Sequence, residues 1–240
     1  VEKEMTTGLK LSNVHKAMLG ETILFSGLNR EERNALLACA TIVRYQMHDI
    51  LFHQGERGEY FYCVLTGFAR LYRLGGDNQE GDIRICEPGD SFAECLVTDG
   101  GDYRYGAQAM EHSIFARFNL EQVRALVEHR PHIGIAIMRS LSQHLLSTID
   151  CLASDRMQTA PQRVATYLLT HCKPEGLAAK MRLPFQKSLL ARKLGLAPEA
   201  LSRAFSSLRA AGVTVSGRSI EISNLNVLKT IPAITSRHAP

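Results

Sequence analysis

Glu199, Ser202 and Arg203 fall within the stretch "PEALSRAFSSL", residues 198 to 208. Their spacing of i, i+3 and i+4 sets all three on one face of a helix, opposite the apolar Leu201, Phe205 and Leu208. On the edge of a base pair these groups have defined partners. Arginine donates two bonds to guanine O6 and N7, glutamate accepts from the cytosine amino group, and serine bonds either class of edge, at about 1–3 kcal/mol of discrimination per good pair. The plainer alternative is an exposed Glu-Arg pair one turn apart, which contributes only tenths of a kcal/mol.

The surrounding elements decide which of these is useful. "TAPQRVATYLLTHC" predicts a helix capped by Thr159 with Pro161 in its first turn. A strand at "AKMRLP", a helix over 185–194, a turn at Gly195-Leu196-Ala197, a helix opened by Pro198 and a hairpin on Ser216-Gly217 follow. Helix, glycine turn, helix and β-wing is the order of a winged helix-turn-helix, whose second helix enters the major groove by its N-terminal turn. Lys187 and Arg218, with Arg192 and Arg209 beside them, suit phosphate contacts that add affinity without sequence choice. Charge agrees, because residues 158–240 carry 12 Lys/Arg against 3 Asp/Glu while residues 1–157 carry 16 against 21. A small basic domain attached to an acidic one is the footprint of a polyanion binder.

Upstream, short β-rich runs separated by glycine turns from about 41 to 118 predict a sandwich or jelly-roll barrel. Asn29 and Glu32 predict a capping box on a small helix laid against it, and the tracts before 15 and after 232 carry little pattern. From 132 to 157 the chain is helical, and Met138, Leu141, Leu145, Thr148 and Leu152 recur at spacings 3, 4, 3 and 4. That is the a/d seam of a parallel pair, with a helix packed on its own barrel as the alternative. Three parts result: a sensor domain over 1–130, a dimerisation helix over 131–157 and a DNA-binding domain over 158–240. The fold class is α+β.

Enzyme classes find no support. There is no Walker loop, serine nucleophile motif or dinucleotide fingerprint, and His48, His53 and His112 do not cluster as a metal-dependent barrel requires. The six cysteines (39, 63, 86, 95, 151, 172) form no CxxC pair, so they read as buried or free thiols and disfavour an iron-sulfur cluster. Without an apolar leader or a run of about 18 apolar residues, the expected location is the cytoplasm, away from membrane.

Barrel, long helix and winged helix-turn-helix, in that order, resemble the Crp/Fnr superfamily of bacterial transcription regulators over about residues 20–225. The resemblance includes Gly55 in "QGE", Gly67 in "LTG" and Gly89 in "EPGD". It implies a homodimer on double-stranded DNA, its two heads about 34 Å apart on one face of the duplex, and contact with RNA polymerase. "PEALSR" is similar to the Glu-x-x-Ser-Arg helix of the Fnr, FixK and Dnr branches, which implies TTGAT-type half-sites in an inverted pair. Relatives often cap this helix with Ser or Thr, where this chain has Ala197.

Cyclic-AMP-binding members carry Phe/Ile-Gly-Glu, an Arg ten residues after the Glu followed by Ser or Thr, and a Thr-Ser pair on the long helix. The matching positions here are Phe92, Ala93, Glu94, Arg104, Tyr105, Thr148 and Ile149. In that resemblance Arg104 would neutralise a cyclic phosphate and Glu94 would accept from a ribose hydroxyl. Ala93 stands where the glycine backbone approaches the phosphate, and Tyr105 stands for the small hydroxyl. If the Tyr105 ring fills the phosphate site, Glu94 and Arg104 become a buried structural ion pair. The "FAE" form leans toward the Dnr-like branch associated with haem, for which His15, His48, His53 and His144 are the available ligands. A cyclic nucleotide and haem both stay open. The function expected is a dimeric, effector-controlled DNA-binding regulator; the alternative is an effector-binding module whose basic domain contacts another protein.

Overall fold

The computed structural model describes residues 9–76 and 79–231. They form two compact units that divide at Leu146/Ser147, within one helix.

The first unit opens with α1 (Asn13–Gly20) and α2 (Arg30–Ala38), which precede β1 (Ala40–Tyr45), β2 (Ile50–Phe52), β3 (Tyr60–Thr66), β4 (Ala69–Leu74), β5 (Glu80–Cys86) and β6 (Ser91–Phe92). A short helix α3 (Leu96–Asp99), β7 (Gly106–Ala109), β8 (Ser113–Asn119) and α4 (Leu120–His129) follow. The strands make two antiparallel four-stranded sheets, ordered β1-β8-β3-β6 and β2-β7-β4-β5. Their crossing connections give the expected jelly roll.

Its interior is aromatic. Phe61 stacks on Phe118 at 4.6 Å, Phe52 on Tyr103 at 3.7 Å and Tyr62 on Phe92 at 5.3 Å. Burying each such ring contributes about 1.5–3 kcal/mol. Gly67 holds the β3–β4 turn at φ +77, and a Cβ there would collide with Ser113, so only glycine fits.

The capping box on α2 is present, with Glu32 N–H donating to Asn29 Oδ1 at 2.9 Å and Asn29 N–H to Glu32 Oε2 at 3.0 Å. The tract before residue 15 is more ordered than its sequence suggests. Leu9 bridges Ile42, and α1 starts with Ser12 and His15 in a reciprocal box. Histidine at the third position is not the usual Glu or Gln of that motif, which hid the signal. Residues 1–8 and 232–240 lie outside the described residues.

Helix α5 (Pro131–Met157) begins where Arg130 leaves helical geometry at φ −136 and Pro131 takes the first position. Ile133, Ala136, Ile137 and Ser140 are buried, the inward phase of a 3.6-residue period.

The second unit continues α5 and adds α6 (Ala160–His171), β9 (Lys173–Glu175), β10 (Ala178–Arg182), α7 (Lys187–Lys193), α8 (Pro198–Leu208), β11 (Val213–Ser216), β12 (Ser219–Ile222) and α9 (Leu225–Thr230). Its sheet runs β11-β12-β10-β9. The wing differs in register from expectation. Ser216 pairs with Ser219, so the two turn residues are Gly217 and Arg218, not Ser216-Gly217. Gly217 takes φ +57, which suits the first position of a two-residue hairpin loop.

Candidate DNA-reading face and candidate effector site

On α8, Leu201, Ala204, Phe205 and Leu208 are buried. Glu199, Ser202 and Arg203 are all exposed. The inward set fixes the helix roll, since a stripe at i, i+3, i+4 and i+7 can face the core in one orientation only. Gly195 turns the chain between α7 and α8 at φ +60, against Asp155. Among the described residues no ion pair joins Glu199 to Arg203, so both heads are available to an outside partner. Lys187, the first residue of α7, is half-buried on a shallow groove of about 230 Å³ that it shares with Ser188, Ser202 and Arg209. Arg218 sits in the wing turn, its Nη1 3.5 Å from the Pro184 carbonyl. Ala197 precedes α8 in extended geometry and supplies no side-chain cap.

In the jelly roll, the residues compared with a nucleotide pocket separate. Phe92, Ala93 and Glu94 are buried at the end of β6. Glu94 Oε1 lies 2.7 Å from His144 Nδ1, accepts from Ser91 Oγ at 3.1 Å and from Ser140 Oγ at 3.3 Å. Burial alone would raise the Glu94 carboxyl, but the hydrogen bond and charge of His144 hold it below its usual value. Arg104 is elsewhere. Its side chain is 77% exposed and bonds Asp99 at 2.9 Å. A buried Glu94–Arg104 ion pair, one of the sequence-based expectations, is therefore corrected: the partner of Glu94 is His144. Tyr105 donates no space to a ligand either, for its hydroxyl accepts from the Ala93 N–H at 2.9 Å and its ring lies 6.1 Å from that of Phe52. Burial pushes the Tyr105 phenol up, so it stays neutral.

Thr148 is exposed on α5. These residues do not fit a cyclic nucleotide, because the guanidinium faces solvent and the Ala93 amide is already bonded. The histidines considered for haem are dispersed: His15 caps α1, His48 and His53 are exposed, and His144 is engaged with Glu94. Sequence reasoning missed Ser91, Ser140 and the role of His144. Ser140 and His144 stand one turn apart on the inward phase of α5, and two polar residues on an apolar phase were the available signal.

On the same helix Met138, Leu145 and Leu152 are 55%, 62% and 53% exposed. Leu141 instead packs partly against the jelly-roll core. The outward stripe is completed by Ile135 and Ile149, where the sequence pattern had used Leu141 and Thr148.

A jelly roll followed by a long helix and a winged helix-turn-helix defines a class, the two-domain DNA-binding regulators. Residues 42–130 match the cyclic nucleotide-binding domain family and residues 162–231 the Crp-like helix-turn-helix domain family. The crystal structure of a candidate cyclic nucleotide-binding protein from Ruegeria pomeroyi is 32% identical, with 90% of this chain and 96% of that one covered and a TM-score of 0.65. FixK2 from Bradyrhizobium japonicum is 26% identical over 81% of this chain and 98% of its own, with a TM-score of 0.67. The Cyclic AMP receptor protein of Thermus thermophilus is 27% identical over 212 residues, 87% of this chain and 95% of its own. The chain belongs to the Crp/Fnr superfamily of transcription regulators. Its relatives are regulators rather than enzymes, and among the described residues no helix is long and apolar enough to cross a membrane.

Proposed function

We infer that the chain is a homodimeric, sequence-specific DNA-binding regulator under the control of a small effector acting through the jelly roll. The observation that carries the DNA reading is the exposure of Glu199, Ser202 and Arg203 together at the start of α8. Arg203 is assigned to a G·C pair with Glu199 beside it, on an inverted pair of TTGAT-type half-sites. Lys187 and Arg218 are assigned to phosphates. The dimer is supported by the outward stripe of Ile135, Met138, Leu145, Ile149 and Leu152 on α5, whose steps of 3, 7, 4 and 3 follow a seven-residue repeat with the polar Ser142 at the skipped position and suit a second copy of the same helix. On this reading residues 1–130 sense, 131–157 pair and transmit, and 158–240 bind DNA, with RNA polymerase as a further partner on the promoter.

The test is fluorescence anisotropy of the purified protein with an inverted TTGAT-type duplex and a scrambled one at matched salt, beside sedimentation to read its oligomeric state. A dimer that prefers the inverted site is expected, and Arg203→Ala should reduce that preference roughly 5- to 150-fold at the affected pair, the range of about 1–3 kcal/mol. A monomer with no sequence preference would sink the reading and favour a basic domain that contacts protein.

A further inference from the structure

The mismatch between the family's nucleotide pocket and this chain has a positive side, which rests on the effector-domain role assigned above to the jelly roll. We propose that Tyr105 is a built-in occupant of the seat a cyclic phosphate would use, and that it bars cyclic nucleotides from this jelly roll.

Three features lead there. The Ala93 N–H, which the resemblance would aim at a phosphate oxygen, is taken by the Tyr105 hydroxyl at 2.9 Å. Ala93 itself is 2% exposed and held at φ +65, a left-handed conformation that costs a non-glycine residue strain and persists only where its surroundings fix it. The hydroxyl bond is such a fixture. Arg104, the one cation assigned to the phosphate, is turned to solvent and paired with Asp99. A phosphodiester entering the seat would therefore lose its hydration without gaining a cation or a free amide, an unfavourable exchange.

The ring is also supported from below. Phe52 lies beside Tyr105, stacks on Tyr103 and approaches Tyr62 and Phe92. Swinging Tyr105 aside would break that packing. Its conformation is thus set by its neighbours, and a ligand would have to displace both ring and hydrogen bond.

Titration calorimetry of the full-length protein with cyclic AMP tests the idea. The wild type should give no saturable heat up to about 1 mM, and Tyr105→Ser, which removes the ring and leaves a small hydroxyl, should bind at least about tenfold more tightly. Saturable binding by the wild type, or no binding by a folded Tyr105→Ser protein, overturns the proposal. Hydrogen exchange of the Ala93 amide in the wild type gives a second readout that needs no variant: it should be slow and unaffected by cyclic AMP, and a change on addition would count against Tyr105 as occupant. The DNA assay uses no nucleotide, so failure here is distinguishable from failure of the DNA-binding reading.

Discussion

At the scale of single residues, Glu94 is the most constrained charge in the jelly roll. It is 1% exposed, and its partners come from two elements: Ser91 from β6, and Ser140 and His144 from α5. A buried carboxylate is tolerated only with such partners. Desolvation is the largest single influence on its carboxyl and raises it, but the bond and charge of His144 together with the backbone and Ser91 bonds hold it below the ordinary 4.5. A depressed folded value contributes stability that is present above the unfolded value and lost as pH falls through the folded one. Glu94→Gln should accordingly cost about 1–3 kcal/mol near neutral pH. The gap between wild type and variant should begin to close as the pH drops below about 4.5, where the unfolded chain takes up the proton first, and should be lost once the pH has fallen through the lower folded value. Urea unfolding of both proteins across that range checks it; a gap that stays constant with pH would mean that the hydrogen bonds matter and the charge does not.

At the scale of elements, the recognition helix illustrates how much the sequence discloses. Its buried stripe, its proline start and the glycine turn before it were all legible, because helical period and turn chemistry are local. The jelly roll was legible as a class for the same reason. What escaped were pairings at long range. The Glu94–His144 contact joins residues 50 positions apart; Ser140 and His144 on an apolar phase hint at a buried polar partner, but nothing local says that it is Glu94. The wing slipped by one residue because register depends on the partner strand. Leu141 looked like seam by spacing, yet two faces of α5 are apolar and only the structure says which one the jelly roll takes. The uncapped start of α8 is local and was foreseen: Ala197 supplies no side-chain acceptor. Ala197→Ser should add about 1 kcal/mol of stability by accepting from an orphan N–H of the first turn. Thermal unfolding of the two proteins measures it, and an unchanged or lower midpoint would mean that the cap cannot form here.

At the scale of the whole molecule, the unequal charge of its two ends governs how it meets DNA. The net surplus beyond residue 157 is nine positive charges, 12 Lys/Arg against 3 Asp/Glu, while the rest of the chain is net negative. Phosphates are thus drawn to one end of the chain and repelled from the other. Each phosphate contact releases counterions and contributes about 0.9 to the slope of log affinity against log salt on duplex DNA. Lys187→Ala should therefore lower that slope without changing which sequence is preferred, whereas Arg203→Ala should change preference more than slope. The size of the change also reports assembly. In a dimer with both heads docked the Lys187 contact is lost twice, so the slope should fall by about 1.8 rather than about 0.9. Affinities of wild type and variant for one duplex over a series of salt concentrations decide between them. A fall of about 0.9 would mean one docked head per duplex, and no fall would remove Lys187 from the phosphate contacts.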